Sequence, residues 1–287
     1  MMKPYKPEIS ASAVAGLIGM NPYRAPHEVM YQVLQKNAAA KETIRRLENV
    51  HRRIPKDLMI RRIAADTDVR KIVSDGLEET RTNPDIRGVV DSAAAKIGIV
   101  GALRYSSIPA EERDGIVKEV ASAIQKQRGL RNENQILDNY EKDTKTKVTE
   151  RNTRMVRKDY GPFVLIGRID GFVESLKRVV DSKERTYFRS EPPMYDEIQM
   201  RVYMDLTSAK DAELVERFPN QEVRKTVYTN DADKWTAIHM AIRTASQEIM
   251  DAISDEAKLL RIIESNTFTM SAPMNPNEGA IGINYIV

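Results

Sequence analysis

The stretch that decides the fold is Gly167-Arg168-Ile169-Asp170-Gly171, followed ten residues later by Asp181-Ser182-Lys183. Residues 162–168 and 173–183 have the alternating, β-branched composition of strands, and Gly171 marks a turn between them. Two adjacent strands joined near Asp170-Gly171 predict a hairpin. Asp170 would then lie at the mouth of the hairpin and Asp181 near the end of its second strand.

The Asp181-Ser182-Lys183 triplet has a geometry that favours chemistry. Side chains alternate across a strand, so Asp181 and Lys183 share one face while Ser182 points away. With Asp170 nearby, two carboxylates and one ammonium group are predicted to converge. Taken alone, the triplet is also explained by a surface ion pair at a strand end. Two further acid-x-Lys triplets occur without a strand-borne aspartate upstream: Asp143-Thr144-Lys145 and Glu256-Ala257-Lys258.

Such a group of side chains suits a divalent cation and phosphodiester hydrolysis. Mg²⁺ prefers oxygen ligands and retains several waters, so two carboxylates and a backbone carbonyl are sufficient protein ligands. The ion polarises the scissile phosphate and lowers the pKa of a water nucleophile. A neighbouring lysine can orient or deprotonate that water. We therefore expect Mg²⁺ as the cofactor, with Mn²⁺ as a substitute.

Composition excludes several classes of protein and of chemical site. The 287 residues are 41% apolar and 30% charged, which is typical of a globular protein, and there is no cysteine, which excludes disulfides, thiolate metal sites and cysteine nucleophiles. The net charge is only +3, so contacts with DNA must be local. Neither a signal peptide, a membrane span nor a nucleotide-binding loop is recognisable. We expect an intracellular protein that is not secreted and not attached to a membrane.

The chain divides into four regions that differ in composition and in predicted secondary structure. We expect residues 1–36 to form an N-terminal helical part of the core, 37–126 a helical insertion or subdomain, 127–266 the mixed α/β core and 267–287 a loosely ordered tail. Residues 41–71 carry ten basic and five acidic side chains. That segment is either a solvated helix face with i,i+4 ion pairs or a surface that faces phosphates.

Within the core, helical and strand patterns alternate. The last helix begins near Asp231 and spaces Trp235, Ile238, Ile242, Ala245, Ile249 and Ile253 by three and four residues, which predicts packing in the core or at an interface. The other predicted elements are a helix over 129–142, a strand over 147–157, a helix over 195–206, and strands over 212–217 and 222–229.

The order of the sequence motifs along the chain resembles that of a known family. Glu133 follows Gly129 on a helix as Gly-x-x-x-Glu, and a later helix carries Gln199 before Tyr203-Met204. Together with Asp170-Gly171 and Asp181-Ser182-Lys183, this order resembles the PD-(D/E)xK nucleases, and more narrowly the lambda-exonuclease and YqaJ viral recombinase branch. The opening Ile9-Ser10-Ala11-Ser12 and Leu17-Ile18-Gly19-Met20-Asn21-Pro22-Tyr23 are similar to that branch as well. The resemblance covers roughly residues 8–35 and 128–255.

The resemblance implies a fold and roles for individual residues. The fold would be a restriction-endonuclease-like α/β core, with a central mixed β-sheet flanked by helices, plus the helical insertion. Asp170 and Asp181 would be metal ligands, and Glu133 would support a metal directly or through water. Lys183 would orient the water, and Gln199 would support the site from the next helix.

Two positions depart from the family pattern, and several residues are candidates for DNA contacts. Ile169 replaces the usual proline, and Asp181 replaces the more frequent glutamate, but neither change removes a metal-binding oxygen. Arg168 could hold a terminal phosphate or be an ordinary strand residue. Ser10 and Ser12 precede a helix, either as caps or beside a bound phosphate. Arg24, Arg128 and Tyr203, which lie in the segments that carry the resemblance, complete the candidates.

By resemblance, the activity would be that of a Mg²⁺-dependent deoxyribonuclease, a 5′–3′ exonuclease acting on duplex DNA ends in viral or phage recombination or repair. Its partners would be DNA and a single-strand annealing protein, and members of the branch can form ring-shaped homo-oligomers. Two alternatives stay open. One is a catalytically silent DNA-binding relative, and the other is a protein-interaction module built on the helical insertion.

Overall fold

The computed structural model describes residues 5–106 and 108–269, which divide into two compact units. The first unit contains residues 5–46 and 129–265, and the second contains residues 47–128, apart from 107, and 266–269. The sequence-based boundaries were placed near 36 and 126. Of the predicted tail, residues 270–287 lie outside the described part, whereas Thr267–Thr269 form a strand.

The first unit is built on strands and the helices that cover them. Three helices, α3, α8 and α11, run across a unit boundary. The elements of this unit are β1 (Glu8–Ser10), α1 (Ala11–Leu17), α2 (Pro26–Leu34), α3 (Ala38–Val50), α8 (Ala123–Thr144), β3 (Met155–Asp159), β4 (Val164–Arg168), β5 (Gly171–Val173), β6 (Arg178–Glu184), α9 (Met194–Thr207), β7 (Asp211–Arg217), β8 (Val223–Thr229), α10 (Ala232–Ser254) and α11 (Glu256–Asn266).

A mixed four-stranded sheet forms the centre of this unit, in the order β5-β6-β7-β8. Strand β6 is parallel to β7, with Asp181 opposite Leu214, and the outer pairs are antiparallel. Residues of α8 pack with Val180 and Val215 on one face. Helix α9 contacts β6 and β7, and Asp196 of α9 binds Arg185. A mixed sheet flanked by helices was predicted, and this prediction is confirmed.

The hairpin predicted at Asp170-Gly171 is wrong. Strand β4 belongs to a separate three-stranded sheet, in the order β1-β4-β3, while β6 pairs with β5. The chain therefore changes sheets at Asp170, and the true hairpin turn lies at residues 174–177. Lys177 adopts a left-handed φ of 50° in that turn. A Cβ atom at Gly171 would lie 2.2 Å from Val148 Cγ1, so the crossing requires glycine.

The second unit is mainly helical. A small antiparallel pair of strands joins Arg53–Pro55 to Thr267–Thr269, and this pairing was missed because the segments are three residues long and far apart in sequence. Asp66 caps a helix and accepts two hydrogen bonds from Arg104. The elements are β2 (Arg53–Pro55), α4 (Lys56–Ala65), α5 (Thr67–Glu79), α6 (Ile86–Arg104), α7 (Ala110–Ala121) and β9 (Thr267–Thr269).

Helix α10 matches its predicted role in packing. Asp231 caps it by accepting a hydrogen bond from Lys234 N at 3.0 Å. Of the predicted stripe, Ile238, Ile242, Ala245 and Ile249 are buried, while Trp235 and Ile253 are half-buried. Across residues 5–106 and 108–269, no helix combines the length and apolar character needed to cross a membrane.

Candidate active site

The side chains of Asp181 and Lys183 meet on one face of β6, as their spacing predicts. Lys183 Nζ lies 2.6 Å from Asp181 Oδ2, and the two side chains are 28% and 1% exposed. Strand β6 is an inner strand, so burial is imposed on Asp181 by the sheet position. Apart from its contacts with Lys183 and the neighbouring Asp170 carboxyl group, the Asp181 carboxylate accepts no hydrogen bond from any described residue. A buried anion with free acceptor positions is unfavourable unless a cation or proton compensates it.

Asp170 lies beside Asp181 because the chain crosses between the two sheets at that point. The backbone N–H of Ser182 donates to Asp170 Oδ2 at 2.9 Å, and Ser182 Oγ lies 3.4 Å from the same oxygen. The middle residue of the triplet thus fixes Asp170, although it was predicted to point away from the group. Asp170 and Asp181 are close enough for one carboxyl group to hydrogen-bond to the other.

The electrostatics of the two acids follow from this crowding. Burial, followed by the charge of Asp170, raises the pKa of Asp181 to about 7. Burial and the nearby Glu133 carboxyl raise the pKa of Asp170, while Lys183 opposes this shift. Like charges in a buried space favour a shared proton or a bound cation. The crowding of the two acids therefore explains why the pKa of each is raised.

Lys183 behaves as a permanent cation in this setting. Burial lowers the pKa of Lys183, but the charges of Asp181, Asp170 and Asp196 outweigh that effect and raise it overall. The side chain therefore stays protonated at neutral pH. An ammonium group can donate hydrogen bonds to a water or a phosphate oxygen, whereas it cannot accept a proton. In this state Lys183 can orient a water, which is one of the two roles that the sequence predicts.

Glu133 reaches the site from α8, and Asn152 holds it there. The Asn152 side-chain amide donates to Glu133 Oε1 at 2.7 Å, and its backbone N–H donates to the Asp170 carbonyl at 3.2 Å. The carboxyl groups of Glu133 and Asp170 are within hydrogen-bonding reach. Asn152 was not among the predicted site residues. Its left-handed φ of 53° is a conformation in which asparagine is enriched, so the turn-like Arg151-Asn152-Thr153 was the available signal.

Gln199 and Tyr203 form a support on α9. Gln199 Nε2 donates to the Tyr203 hydroxyl at 3.1 Å, and that hydroxyl donates to the Arg168 carbonyl at 2.9 Å. Tyr203 is 4% exposed because its ring and hydroxyl contact protein, and its contact with DNA stays a prediction. The ring leaves no room at Gly167, where a Cβ atom would lie 2.7 Å from Tyr203 Cε1.

The other candidates for DNA contacts fall into two groups. Arg168 and Ser12 are exposed, while Ser10 and Arg24 are half-buried. Ser10 occupies the cap position of α1 without a side-chain capping bond, and its Oγ lies 3.4 Å from Ser12 Oγ. Arg128 is buried in this structure, and its contact with DNA stays a prediction.

The basic segment 41–71 contains at least two ion pairs of the ordinary surface kind. Arg61 pairs with Asp57 one helical turn earlier, and Lys56 pairs with Glu112. These contacts suit the solvated helix that was one of the two interpretations. Several other basic side chains, including Lys41 and Arg45, are exposed, so a phosphate-facing surface stays open as the second interpretation.

A buried ion-pair network lies next to Lys183. Arg185 binds Asp196 at 2.5 Å and Glu216 at 2.6 Å, and Glu216 also binds Arg224 at 2.6 Å. Asp196 and Glu216 are buried, and the network joins α9 to strands β7 and β8. Asp196 is close enough to Lys183 to affect its charge state. The sequence reasoning missed this network because its members are dispersed along the chain.

The donor set fits a divalent cation of the Mg²⁺ type. Asp170 and Asp181 supply oxygen ligands, and Asp181 Oδ1 has no hydrogen bond of ordinary geometry among the described residues. In the described ranges, no group of three or more His, Asp or Glu side chains is arranged to hold a metal ion. A two-carboxylate site that leaves positions for water and phosphate matches the known preferences of Mg²⁺.

Comparisons with solved structures find chains whose backbone is partly similar to this one. An alkaline exonuclease from Laribacter hongkongensis, LHK-Exo, is 13% identical with a TM-score of 0.47, over 88% of this chain and 93% of that one. A phage-related exonuclease from Haemophilus somnus 129PT is 15% identical with a TM-score of 0.42, over 88% and 97%. LHK-Exo in complex with dAMP is 19% identical with a TM-score of 0.38, over 46% and 74%. No protein-family model and no curated protein matches the sequence.

Proposed function

We propose that this protein is a metal-dependent deoxyribonuclease that hydrolyses phosphodiester bonds. The observation that carries the proposal is the buried Asp181 carboxylate, whose described polar contacts are with a second carboxyl group, Asp170, and with the Lys183 ammonium. Such a costly arrangement is typical of functional sites, where carboxylates are held together against their mutual repulsion. A purely structural ion pair would not require a second carboxylate at the same point.

Each residue has a defined task in this proposal. Asp170 and Asp181 would hold the cation, and Ser182 N–H fixes Asp170 for that purpose. When bound, Mg²⁺ supplies Lewis-acid polarisation of the phosphate and increases the acidity of a neighbouring water. The protonated Lys183 would orient the attacking water or stabilise charge on the phosphate. Glu133, held by Asn152, would support the ion through its contact with Asp170.

The finer assignment follows the motif order in the sequence. A 5′–3′ exonuclease on duplex ends, with a role in viral or phage recombination, is implied by the resemblance to the lambda-exonuclease and YqaJ branch. A single-strand annealing partner and a ring-shaped homo-oligomer belong to the same implication. The four site residues support a nuclease in general, whereas polarity and partners depend on the resemblance alone.

A cleavage assay tests the proposal. The purified protein is incubated with linear and with closed circular duplex DNA, in Mg²⁺, Mn²⁺ or EDTA. We expect degradation of linear DNA in Mg²⁺ and Mn²⁺ and none in EDTA. Asp170→Asn, Asp181→Asn and Lys183→Met should each lose activity. End-labelled substrates give the polarity of degradation. Cleavage of circular DNA would mean that the protein is an endonuclease and not an exonuclease.

The chain offers matched control variants. Glu256-Ala257-Lys258 is an acid-x-Lys triplet at the start of α11, and Asp143-Thr144-Lys145 lies at the end of α8. Lys258→Met and Asp143→Asn make the same chemical changes on the surface, and both should keep full activity. A wild-type protein that is folded but inactive with every metal would refute the enzyme and leave a DNA-binding relative as the better explanation.

A further inference from the structure

An exposed group of aromatic side chains is built around the segment that follows β6, the strand that carries Asp181 and Lys183. Tyr23 is 69% exposed, Phe188 56% and Tyr187 49%, and these are large apolar surfaces to leave in water. Tyr187 and Phe188 lie in the segment that leads from β6 to α9, directly after the Asp181-Ser182-Lys183 strand. Tyr23 lies between α1 and α2. We call Tyr23, Tyr187, Phe188, Arg189 and Tyr195 the aromatic platform.

The rings of the platform are held in place although they are exposed. Arg189 donates to the Tyr23 hydroxyl at 3.0 Å and stacks over the Tyr187 ring at 4.7 Å from its centroid. Tyr23 meets Tyr195 edge to face at 6.1 Å. The backbone N–H of Tyr23 also donates to Asn21 Oδ1 at 2.9 Å, which fixes the loop. Ordered aromatic surface loses little conformational entropy when a ligand stacks on it.

A second set of contacts ties the platform to the sheet. Phe188 packs against Phe218 with 5.0 Å between ring centroids, and Arg224 lies over the Phe218 ring at 5.1 Å. Tyr195 is followed directly by Asp196, whose carboxylate binds Arg185 and whose charge acts on Lys183. The platform therefore begins one residue away from the network beside the lysine of the site.

We propose that the aromatic platform binds unpaired nucleobases of a single DNA strand and stacks them beside the active site. The inference rests on the proposed function, because it assigns the nucleic acid as the ligand. Base stacking on aromatic rings combined with an arginine is the general way in which proteins hold single strands without sequence preference. Arg189 supplies the positive charge, and Tyr23 and Tyr187 supply rings to which bases can stack.

Equilibrium binding in EDTA tests the platform without cleavage. The probes are oligothymidylate containing one 2-aminopurine, an abasic oligonucleotide of the same length, and a blunt duplex. We expect the wild type to prefer the base-bearing strand over the abasic one and to quench the 2-aminopurine. Stacking on one ring is worth about fivefold or more in affinity, so Tyr23→Ala and Tyr187→Ala should each weaken binding of the base-bearing strand by about that factor.

Conservative and matched variants separate stacking from other effects. Tyr23→Phe keeps the ring and loses the contact with Arg189, so it should bind within about twofold of wild type. Met240→Ala removes another exposed apolar side chain, on α10, and should change nothing. Equal affinity for the abasic and base-bearing strands, or unchanged affinity and quenching in the alanine variants, would overturn the platform. Because EDTA blocks cleavage, a wild type that stacks bases but never cleaves DNA in Mg²⁺ would refute the nuclease and not the platform.

Discussion

Asn152 Nδ2 donates to Glu133 Oε1 over 2.7 Å, and this bond joins the helix carboxylate to the loop that precedes β3. The same residue binds the Asp170 carbonyl through its backbone, so one side chain and one N–H set the distance between two acids. In residues 5–106 and 108–269, no hydrogen bond joins Asn152 directly to Asp181 or Lys183. It is a positioning residue for the carboxylates.

Asn152→Gly should reduce nuclease activity while the fold is kept. Glycine accepts the left-handed backbone of residue 152, so the change removes the amide without imposing strain. A hydrogen bond to a charged group contributes about 1.5–3 kcal/mol, which corresponds to roughly 10- to 100-fold in rate if all of it acts on the transition state. Steady-state cleavage kinetics at several Mg²⁺ concentrations measure the effect.

Lys177→Gly is the control for that change. Lys177 has the same left-handed backbone, with φ of 50°, in the turn between β5 and β6. It should raise stability slightly and leave cleavage rates unchanged. If Asn152→Gly also cleaved at the wild-type rate, Asn152 would not position the site.

Asp181→Asn should stabilise the metal-free protein at neutral and alkaline pH. The pKa of Asp181 is raised from 3.8 to about 7, so between those values the folded chain keeps a proton that the unfolded chain has released. Stability contributed by this group is therefore lost as pH rises from about 4 to about 7, and asparagine removes the loss. Thermal unfolding in EDTA should show a higher Tm for the variant above about pH 7 and no difference near pH 4.

The same thermal unfolding experiment with Mg²⁺ added tests whether Asp181 holds the ion. The ion should raise the Tm of the wild type, because it binds the folded state, and leave Asp181→Asn unchanged. Trp235 is the single tryptophan of the chain and lies in α10, so its fluorescence follows the unit that contains the site. Asp143→Asn removes an exposed carboxylate and serves as the control. Its Tm should change with pH and with Mg²⁺ as the Tm of the wild type does. If the Tm values of wild type and Asp181→Asn changed with pH in the same way, the pKa of Asp181 would not be raised.

Lys183→Met should separate metal binding from catalysis. The ammonium lies 2.6 Å from Asp181 Oδ2 and competes with a cation for that oxygen. Removing it should tighten Mg²⁺ binding, measured by calorimetry or by the Tm shift, while cleavage falls by about a hundredfold or more if Lys183 stabilises the developing charge. Weaker Mg²⁺ binding in the variant would mean that the lysine does not compete with the metal.

Gly167→Ala should damage the support formed by Tyr203. The added Cβ would lie 2.7 Å from Tyr203 Cε1 and 3.3 Å from the Ala11 Cβ atom, inside a packed layer. Overpacking of this kind costs about 1–3 kcal/mol, which lowers Tm by several degrees. Gly129→Ala in α8 is the matched control, because nothing lies within 4 Å of its added Cβ. That variant should be stabilised by about 0.5–1 kcal/mol, and a similar gain at Gly167 would disprove the close contact.

The local part of the site could be predicted from sequence because it depends on strand geometry. Period-two alternation places Asp181 and Lys183 on one face whatever the rest of the fold does. The helices over 195–206 and from Asp231 were found within a residue of their observed starts, because their amphipathic patterns and caps are local signals. The mixed sheet followed from the same patterns.

The long-range part could not be predicted from single residues. Whether residues 162–168 pair with 173–183 or join another sheet depends on packing of Gly171 against Val148, which no local pattern encodes. Tyr203 and Arg128 carry polar atoms that suggest solvent, yet tertiary contacts bury both. Asn152 was missed because its partners, Glu133 and Asp170, lie nineteen and eighteen residues away in opposite directions along the chain.

The burial of Asp181 beside a second acid has a consequence for how this protein can evolve. Because replacement of Asp181 by asparagine is expected to stabilise the metal-free fold, selection for stability alone would remove the acid. A lineage that abandoned catalysis should therefore lose Asp181 early, before residues that only pack. Retention of Asp181 and Lys183 in descendants would mark those that still depend on the reaction, and their loss would mark the descendants that have kept the fold for another use.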